Sequence, residues 1–189
     1  MCYNNKEYTF FQGGTSMSAF RSVAPASLPD NFFTRIGEDW MLITAANAKG
    51  EVNTMTASWG CAGILWNKPV AICFIRPQRY TYGFTEDSDT LTLSFFPKGE
   101  YREALRYCGT KSGRDGDKFA ATGLTVEKTA EGTPYPAEAN LVLVCRKLYA
   151  DDLKENAFID PEMLKHYAAK DYHRFYICEI TEVLVKDGE

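Results

Sequence analysis

The chain has no paired-cysteine motif, little histidine and no long apolar run, and each absence removes a class of protein. Its six cysteines, Cys2, Cys61, Cys73, Cys108, Cys145 and Cys178, contain no C-x-x-C pair. Cys73, Cys145 and Cys178 lie inside apolar, strand-like runs, where a free thiol behaves as a small hydrophobe. An even count in such a chain does not make a disulfide framework. The two histidines, His166 and His173, form no ligand cluster with the cysteines, so no metal is expected. No G-x-G-x-x-G follows the first strand, which argues against a Rossmann dinucleotide site. No apolar run approaches the ~20 residues a spanning helix needs. The leader MCYNNKEYTFFQGGTSMSAF lacks a basic region followed by an apolar run and a cleavage site, so a soluble, cytoplasmic protein with no membrane partner is expected. A net charge of -4 without a like-charge block gives no electrostatic footprint for nucleic acid. No triad or paired-carboxylate motif is present either.

What the chain does have is core. Apolar residues make up 45% of its 189 residues, with 12 Phe, 11 Tyr and 3 Trp, enough for one domain. Residues 1–20 read as a polar, glycine-containing lead, and residues 21–189 as a single domain. SVAPASLPDNFF, with its prolines, reads as extended. Strand patterns cover Trp40 to Ala48, Val52 to Trp59, Val70 to Arg76, Thr90 to Phe96, Leu124 to Lys128, Leu141 to Tyr149 and Phe175 to Lys186. Short helical patterns cover Tyr80 to Glu86, Glu100 to Tyr107 and Asp115 to Ala121. Asp160-Pro161 has the form of an N-cap followed by Pro at the first helical position, opening a helix through Tyr167. Many strands with few short helices predict a mainly β fold, a closed barrel with helical insertions.

Two stretches carry chemistry. In NTMTASWG, residues 53 to 60, strand alternation places Thr54, Thr56 and Ser58 on one face and Asn53, Met55, Ala57 and Trp59 on the other. The first face is a row of short donors that also accept. The alternative for this stretch alone is the ordinary strand preference of Thr, with a wet polar face. In FIRPQRYTYGF, residues 74 to 84, a strand ends at Arg76, Pro77 breaks it, Arg79 sits in the turn, and Tyr80-Thr81 open a helix. Helix-start N–H groups, a hydroxyl and an arginine fork together make an anion site. The alternative is two surface charges flanking a turn. Together they suit a flat, phosphorylated ligand with many polar edges, a description a flavin mononucleotide fits.

The run NTMTASWGCAGILWNKPVAICFIRPQRYTYGFTEDSDTLTLSFFP, with LSFF at 93 to 96, GTKSGRDGDKF at 109 to 119 and HRFYICEITEV at 173 to 183, resembles the flavin reductase-like, FMN-binding split-barrel family, and within it the flavoredoxin branch. The resemblance implies a split β-barrel of Greek-key type that holds FMN non-covalently and forms a homodimer. It implies that Thr54, Met55, Thr56, Ala57, Ser58 and Trp59 border the flavin through both backbone and hydroxyls, with Asn53, at the start of the other face, a further candidate for the site. Arg79 and Thr81 would hold the phosphate, helped by Ser58 or Arg76, with Tyr80 beside them and Ser94 on the neighbouring strand. Lys111, Ser112 and Gly113 resemble the loop that closes over the flavin or reaches it from the partner subunit. The family's small flavin reductases carry Gly-Asp-His near the nicotinamide. Here the stretch reads Lys170-Asp171-Tyr172-His173, so His173 is the candidate catalytic residue, and NAD(P)H as co-substrate stands beside a redox protein as electron donor. The implied function is an FMN-dependent oxidoreductase, a flavin reductase or a flavoredoxin-like carrier. A storage or sensing module without turnover is the alternative. Haem on the same barrel is a weaker one, since two histidines leave little choice of axial ligand.

Overall fold

The structure, a computed structural model, describes residues 20–186. The N-terminal lead expected over residues 1–20 therefore lies, except for Phe20, outside the described residues. Strand β1 (Phe20–Ser22) is followed by a tight turn at Pro25–Ser27 and by α1 (Phe32–Thr34), which runs into a π-helical turn at Arg35–Asp39. Then come β2 (Met41–Ala46), β3 (Val52–Ala57), β4 (Gly60–Leu65), β5 (Lys68–Ile75), α2 (Tyr80–Asp87), β6 (Thr90–Phe95), α3 (Arg102–Thr110) and α4 (Lys118–Thr122). A small hairpin of β7 (Val126–Lys128) and β8 (Pro134–Pro136) precedes the long strands β9 (Leu141–Asp152) and β10 (Arg174–Lys186).

The main sheet is antiparallel throughout and runs β3-β2-β6-β9-β10-β5-β4, with β1 added on β10. Its two end strands, β3 and β4, follow one another in the chain yet do not pair. The barrel is split at that point, and Ser58-Trp59 is the peptide that crosses the split. The architecture is the mainly β split barrel expected, with short helices between strands.

Alternation divides each strand between two cores. Met41, Ile43 and Ala45 of β2 face the barrel interior with Met55, Ala57, Cys73, Ile75, Tyr176 and Cys178. Leu42 faces the other way, into a second core with Leu105, Cys108 and Phe119 beneath α3 and α4. Cys73, Cys145 and Cys178 are thus free, buried thiols of the interior, and a hydrogen bond with the Cys178 thiol, then burial, hold Cys73 well above its usual range.

Several sequence boundaries shift. The strand read as far as Trp59 ends at Ala57, and α3 continues past Gly109 to Thr110. Gly60–Leu65 reads too small and glycine-rich for a strand, yet it pairs with β5 over its full length. Its hairpin turns on Trp66 and Asn67, both at positive φ (52° and 57°), the left-handed pair that a two-residue turn requires. The Asp160 cap forms as read, its carboxylate accepting from Glu162 N–H at 3.0 Å, but the segment Pro161–Tyr167 winds as a 3-10 helix.

Candidate functional site

A polar cleft of about 200 Å³ opens where the end of β3 meets the end of β5. Met55, Thr56, Ala57, Ser58 and Trp59 form one wall, and Phe74, Arg76, Arg79 and His173 the other. Ser58 and Trp59 reach it because the strand has already ended, freeing their backbone from the ladder. Among the described residues Ser58 Oγ has no hydrogen-bond partner, and Trp59 is 42% exposed.

Around Trp59 the aromatic packing is dense. His173 lies 5.1 Å from it and His166 5.4 Å, centroid to centroid. His166 and Tyr167 come from the 3-10 segment, whose Asp160 cap was legible in the sequence. Tyr167 Oη and His173 Nδ1 are 2.9 Å apart. His173 is buried, and desolvation, with the Arg76 charge nearby, pulls its pKa down to about 4, so the ring is neutral at neutral pH. Arg76 is anchored by Asp171 and by the His166 carbonyl (2.9 Å), with its guanidinium 5.2 Å above the Tyr167 ring. Its Arg76 and Gln78 partners hold the Asp171 carboxyl below its usual range. The Lys170-Asp171-Tyr172-His173 stretch thus supplies a carboxylate to orient Arg76 and an imidazole to line the cleft.

Arg79 reaches toward α3. Its Nη1 donates to Gly109 O (2.7 Å) and its Nη2 to Cys108 O (3.2 Å), capping carbonyls at the end of α3 where the helix dipole favours a cation. Burial lowers its pKa, though not enough to discharge an arginine. Lys118 adds a second cation, and sequence reasoning passed over it although it sits within the Asp-Lys-Phe element. Its Nζ donates to Thr54 O (2.8 Å) and Cys108 O (3.0 Å), and burial lowers its pKa to about 8. A lysine following an N-capping aspartate, at the head of a short helix under a strand edge, was the available signal.

The row of hydroxyls divides between enclosed and open positions. Thr54 and Thr56 do share a face, but it is the face toward α3. Thr54 is fully buried, its Oγ1 donating to Ile43 O (3.1 Å) and lying 2.9 Å from Thr44 Oγ1. Thr56 Oγ1 donates to Leu105 O at 2.5 Å, so Thr56 meets the cleft with its remaining surface. Ser94, two strands away, is fully buried beneath the same helices with Oγ unpartnered, and does not reach the cleft. Asn53 and Thr81 are also enclosed: Asn53 Nδ2 donates to Thr81 Oγ1 at 2.9 Å, joining β3 to α2. Thr54, Asn53 and Thr81 share one reason: each hydroxyl or amide bonds a buried backbone or side-chain group where sheet and helices pack, and a buried polar group is held by its partner.

The loop of Lys111, Ser112 and Gly113 comes up against Asn53 and Tyr80. A Cβ on Gly113 would stand inside 3.0 Å of Asn53 Oδ1 and 2.8 Å from Tyr80 Cδ1. Arg114 lies 4.8 Å over the Tyr80 ring. Lys111 is exposed, and its ammonium has no partner among the described residues. The structure therefore brings Ser58, Trp59, Arg76, Arg79 and His173 into one cleft, sets Tyr80 and the 111–113 loop beside it, and withdraws the side chains of Thr54, Thr81, Asn53 and Ser94. Among the described residues no group of three or more His, Cys, Asp or Glu could hold a metal, and no helix is long and apolar enough to cross a membrane.

A split barrel with a polar cleft at its split, walled by aromatic and cationic side chains, defines a class of cofactor-binding β proteins. This chain belongs to the family described as flavin reductase like domain, which matches residues 33–189. No curated protein matches it significantly. Among solved structures, the flavoredoxin of Desulfovibrio vulgaris (Miyazaki F) is similar at 23% identity and a TM-score of 0.61, over 78% of this chain and 69% of that one. An FMN-binding domain of a flavin reductases-like enzyme from Shewanella baltica aligns at 18% identity and a TM-score of 0.63, over 88% and 77%. An FMN-binding protein from Thermus thermophilus, solved with p-hydroxybenzaldehyde, aligns at 21% identity and 0.62, over 88% and 81%. At these identities the likeness is one of fold.

Proposed function

We propose that this chain is an FMN-binding flavoprotein oxidoreductase that passes electrons between NAD(P)H or a redox protein and flavin. The observation that carries this reading is the convergence, in one cleft of a flavin reductase-like chain, of a free hydroxyl on Ser58, the exposed Trp59 ring, two arginines and a neutral His173. The descriptions of the structural neighbours as flavoredoxin and FMN-binding proteins support it.

The donor set fits FMN. Ser58 and the peptide groups of residues 57–59 suit the polar edges of a flavin, while Arg79, Arg76 and the unpaired Lys111 suit its phosphate. FMN supplies the hydride and electron chemistry when bound. Trp59, packed against His166 and His173, shields one side of the cleft from water. His173 is neutral across the physiological range, so it hydrogen-bonds a second substrate without adding charge. Arg79 holds the end of α3 in place and thereby the loop that starts at Lys111, whose N–H donates to Tyr107 O at 2.9 Å.

A cleft of about 200 Å³ lies below the ~300 Å³ at which small-molecule pockets begin. A homodimer would enlarge it. Half-buried Ile72, Phe74, Phe175 and Ile177 and exposed Tyr149 stand outward on β5, β10 and β9. Phe74 belongs both to this apolar face and to the cleft, so a second copy on the face would close the site.

Titration with FMN and riboflavin, followed by anaerobic mixing of the loaded protein with NADH, NADPH and reduced ferredoxin, tests the reading. A chain that takes up no FMN would sink it. Bleaching by a nicotinamide assigns a reductase, and bleaching by ferredoxin alone assigns a carrier. Arg79→Ala should weaken FMN by about tenfold or more and riboflavin far less, because a charged hydrogen bond to phosphate is worth about 1.5–3 kcal/mol.

A further inference from the structure

On the far side of Ser58-Trp59 lies a second cleft of about 390 Å³, between the free edge of β4 and the α1–π-helical segment. The two clefts share only Ser58 and Trp59. We propose that this cleft is a separate binding site for a small, neutral, ring-shaped molecule, aromatic or alicyclic, seated against the outer side of Trp59.

The walls select that chemistry. Phe32, Phe33 and Ile36 stand on one side, Gly60, Cys61 and Ala62 on the other, and among the described residues no charged side chain lines the cleft. A charged ligand would lose its hydration there without a counter-charge to replace it. An apolar ring would be released from water and would meet aromatic faces, an arrangement favoured beyond the area buried. The volume falls within the ~300–1,000 Å³ of small-molecule sites.

The cleft is also built rather than left over. Its floor is fixed at Gly60, where a Cβ would stand 2.8 Å from Ile72 O and 3.1 Å from Met41 Cε, so only glycine leaves β4 this close to the barrel. Its helical wall is a π turn, a winding that recurs at functional sites. That turn is followed by Trp40 at φ 69°, a costly conformation for a bulky side chain. Phe33, 92% exposed, stands at the mouth. The apolar face suited to a second copy lies elsewhere, on β5, β10 and β9.

The site goes beyond the flavin reading and stands without it, since every side chain it uses is present in the flavin-free chain. Cys61 provides the readout: its thiol is exposed in the wall, and Cys73, Cys108, Cys145 and Cys178 are buried. The rate of Cys61 alkylation by iodoacetamide, followed by peptide mass spectrometry on the full chain with and without FMN, is measured against acetophenone and against benzoate. Acetophenone should slow alkylation saturably, by about tenfold at ten times its Kd, and benzoate should not. Gly37→Leu should abolish the protection, because a Cβ at Gly37 meets nothing within 4 Å and the side chain enters the cleft without strain. Wild-type circular dichroism for that variant excludes misfolding as the cause. Three results would overturn the proposal: no protection by acetophenone, equal protection by benzoate, or protection that rises with protein concentration alone, which would give the cleft to a second copy. Protection in the flavin-free chain stands even if FMN never binds, and FMN binding without protection fails this site alone.

Discussion

Replacing Gly113 with alanine puts one methyl group where the 111–113 loop crosses β3. The new Cβ would lie inside 3.0 Å of Asn53 Oδ1, 2.8 Å from Tyr80 Cδ1 and 3.0 Å from Asn53 Cγ, closer than such atoms approach in folded proteins. Two relaxations are open. The loop lifts off, at the ~1–3 kcal/mol that overpacking costs. Otherwise Asn53 swings away and breaks its buried 2.9 Å bond to Thr81, at the ~1–3 kcal/mol of an unsatisfied buried polar group. Both routes predict a loss of about 2 kcal/mol, which in a domain of this size lowers Tm by about 4–8 °C. Urea unfolding of the flavin-free protein reads the cost, and FMN titration reads whether the loop belongs to the site. Asn53→Ala should recover part of the loss when combined with Gly113→Ala, because it removes two of the three offending atoms; additivity would mean the pair does not touch. A Gly113→Ala protein within 0.5 kcal/mol of wild type, with unchanged FMN affinity, would refute the close approach and the loop's part in the site together.

Further expectations follow from the enclosed groups. Thr54→Val should cost about 1–2 kcal/mol in denaturant unfolding and leave FMN affinity unchanged; a clear loss of FMN would restore Thr54 to the cleft. His173 has a folded pKa of about 4 against an unfolded value of 6.5, so the unfolded chain binds the extra proton between them. Its contribution is present above pH 6.5 and is lost as pH falls toward 4, and wild type minus His173→Gln stability should shrink over that window by about 1–2 kcal/mol after solvent screening. Lys118 has the same direction of shift in a higher window, about 8 folded against 10.5 unfolded. Stability relative to Lys118→Met should therefore rise by about 1 kcal/mol between pH 8 and 9.5; a flat difference would mean that the ammonium is not buried as described.

The corrections have a single origin in packing. Periodicity placed Thr54 and Thr56 together and Asn53 opposite, and that geometry holds. Which side of β3 meets the cleft is not a property of period, because α3 and α4 arrive from residues fifty positions later to cover one face. Ser94 is covered for the same reason, lying two strands away under the same helices. Arg79 was legible as a cation in a turn, but its bonds to Cys108 and Gly109 depend on where α3 ends. β4 was missed because Gly60, Cys61, Ala62 and Gly63 lack the β-branched alternation that marks a strand; its pairing with β5 and a left-handed Trp66-Asn67 turn define it instead.

By itself the sequence determined the mainly β class, the strand at NTMTASWG, the break at Pro77, the Asp160 cap and the family, because these rest on local period, turn chemistry and ordered motifs. Tertiary structure alone decided that Ser58 and Trp59 straddle the split, that His166 and His173 both pack on one indole, and that Lys118 caps the edge of β3. Those relations join residues distant in the chain, and only the closure of the sheet fixes the distances between them.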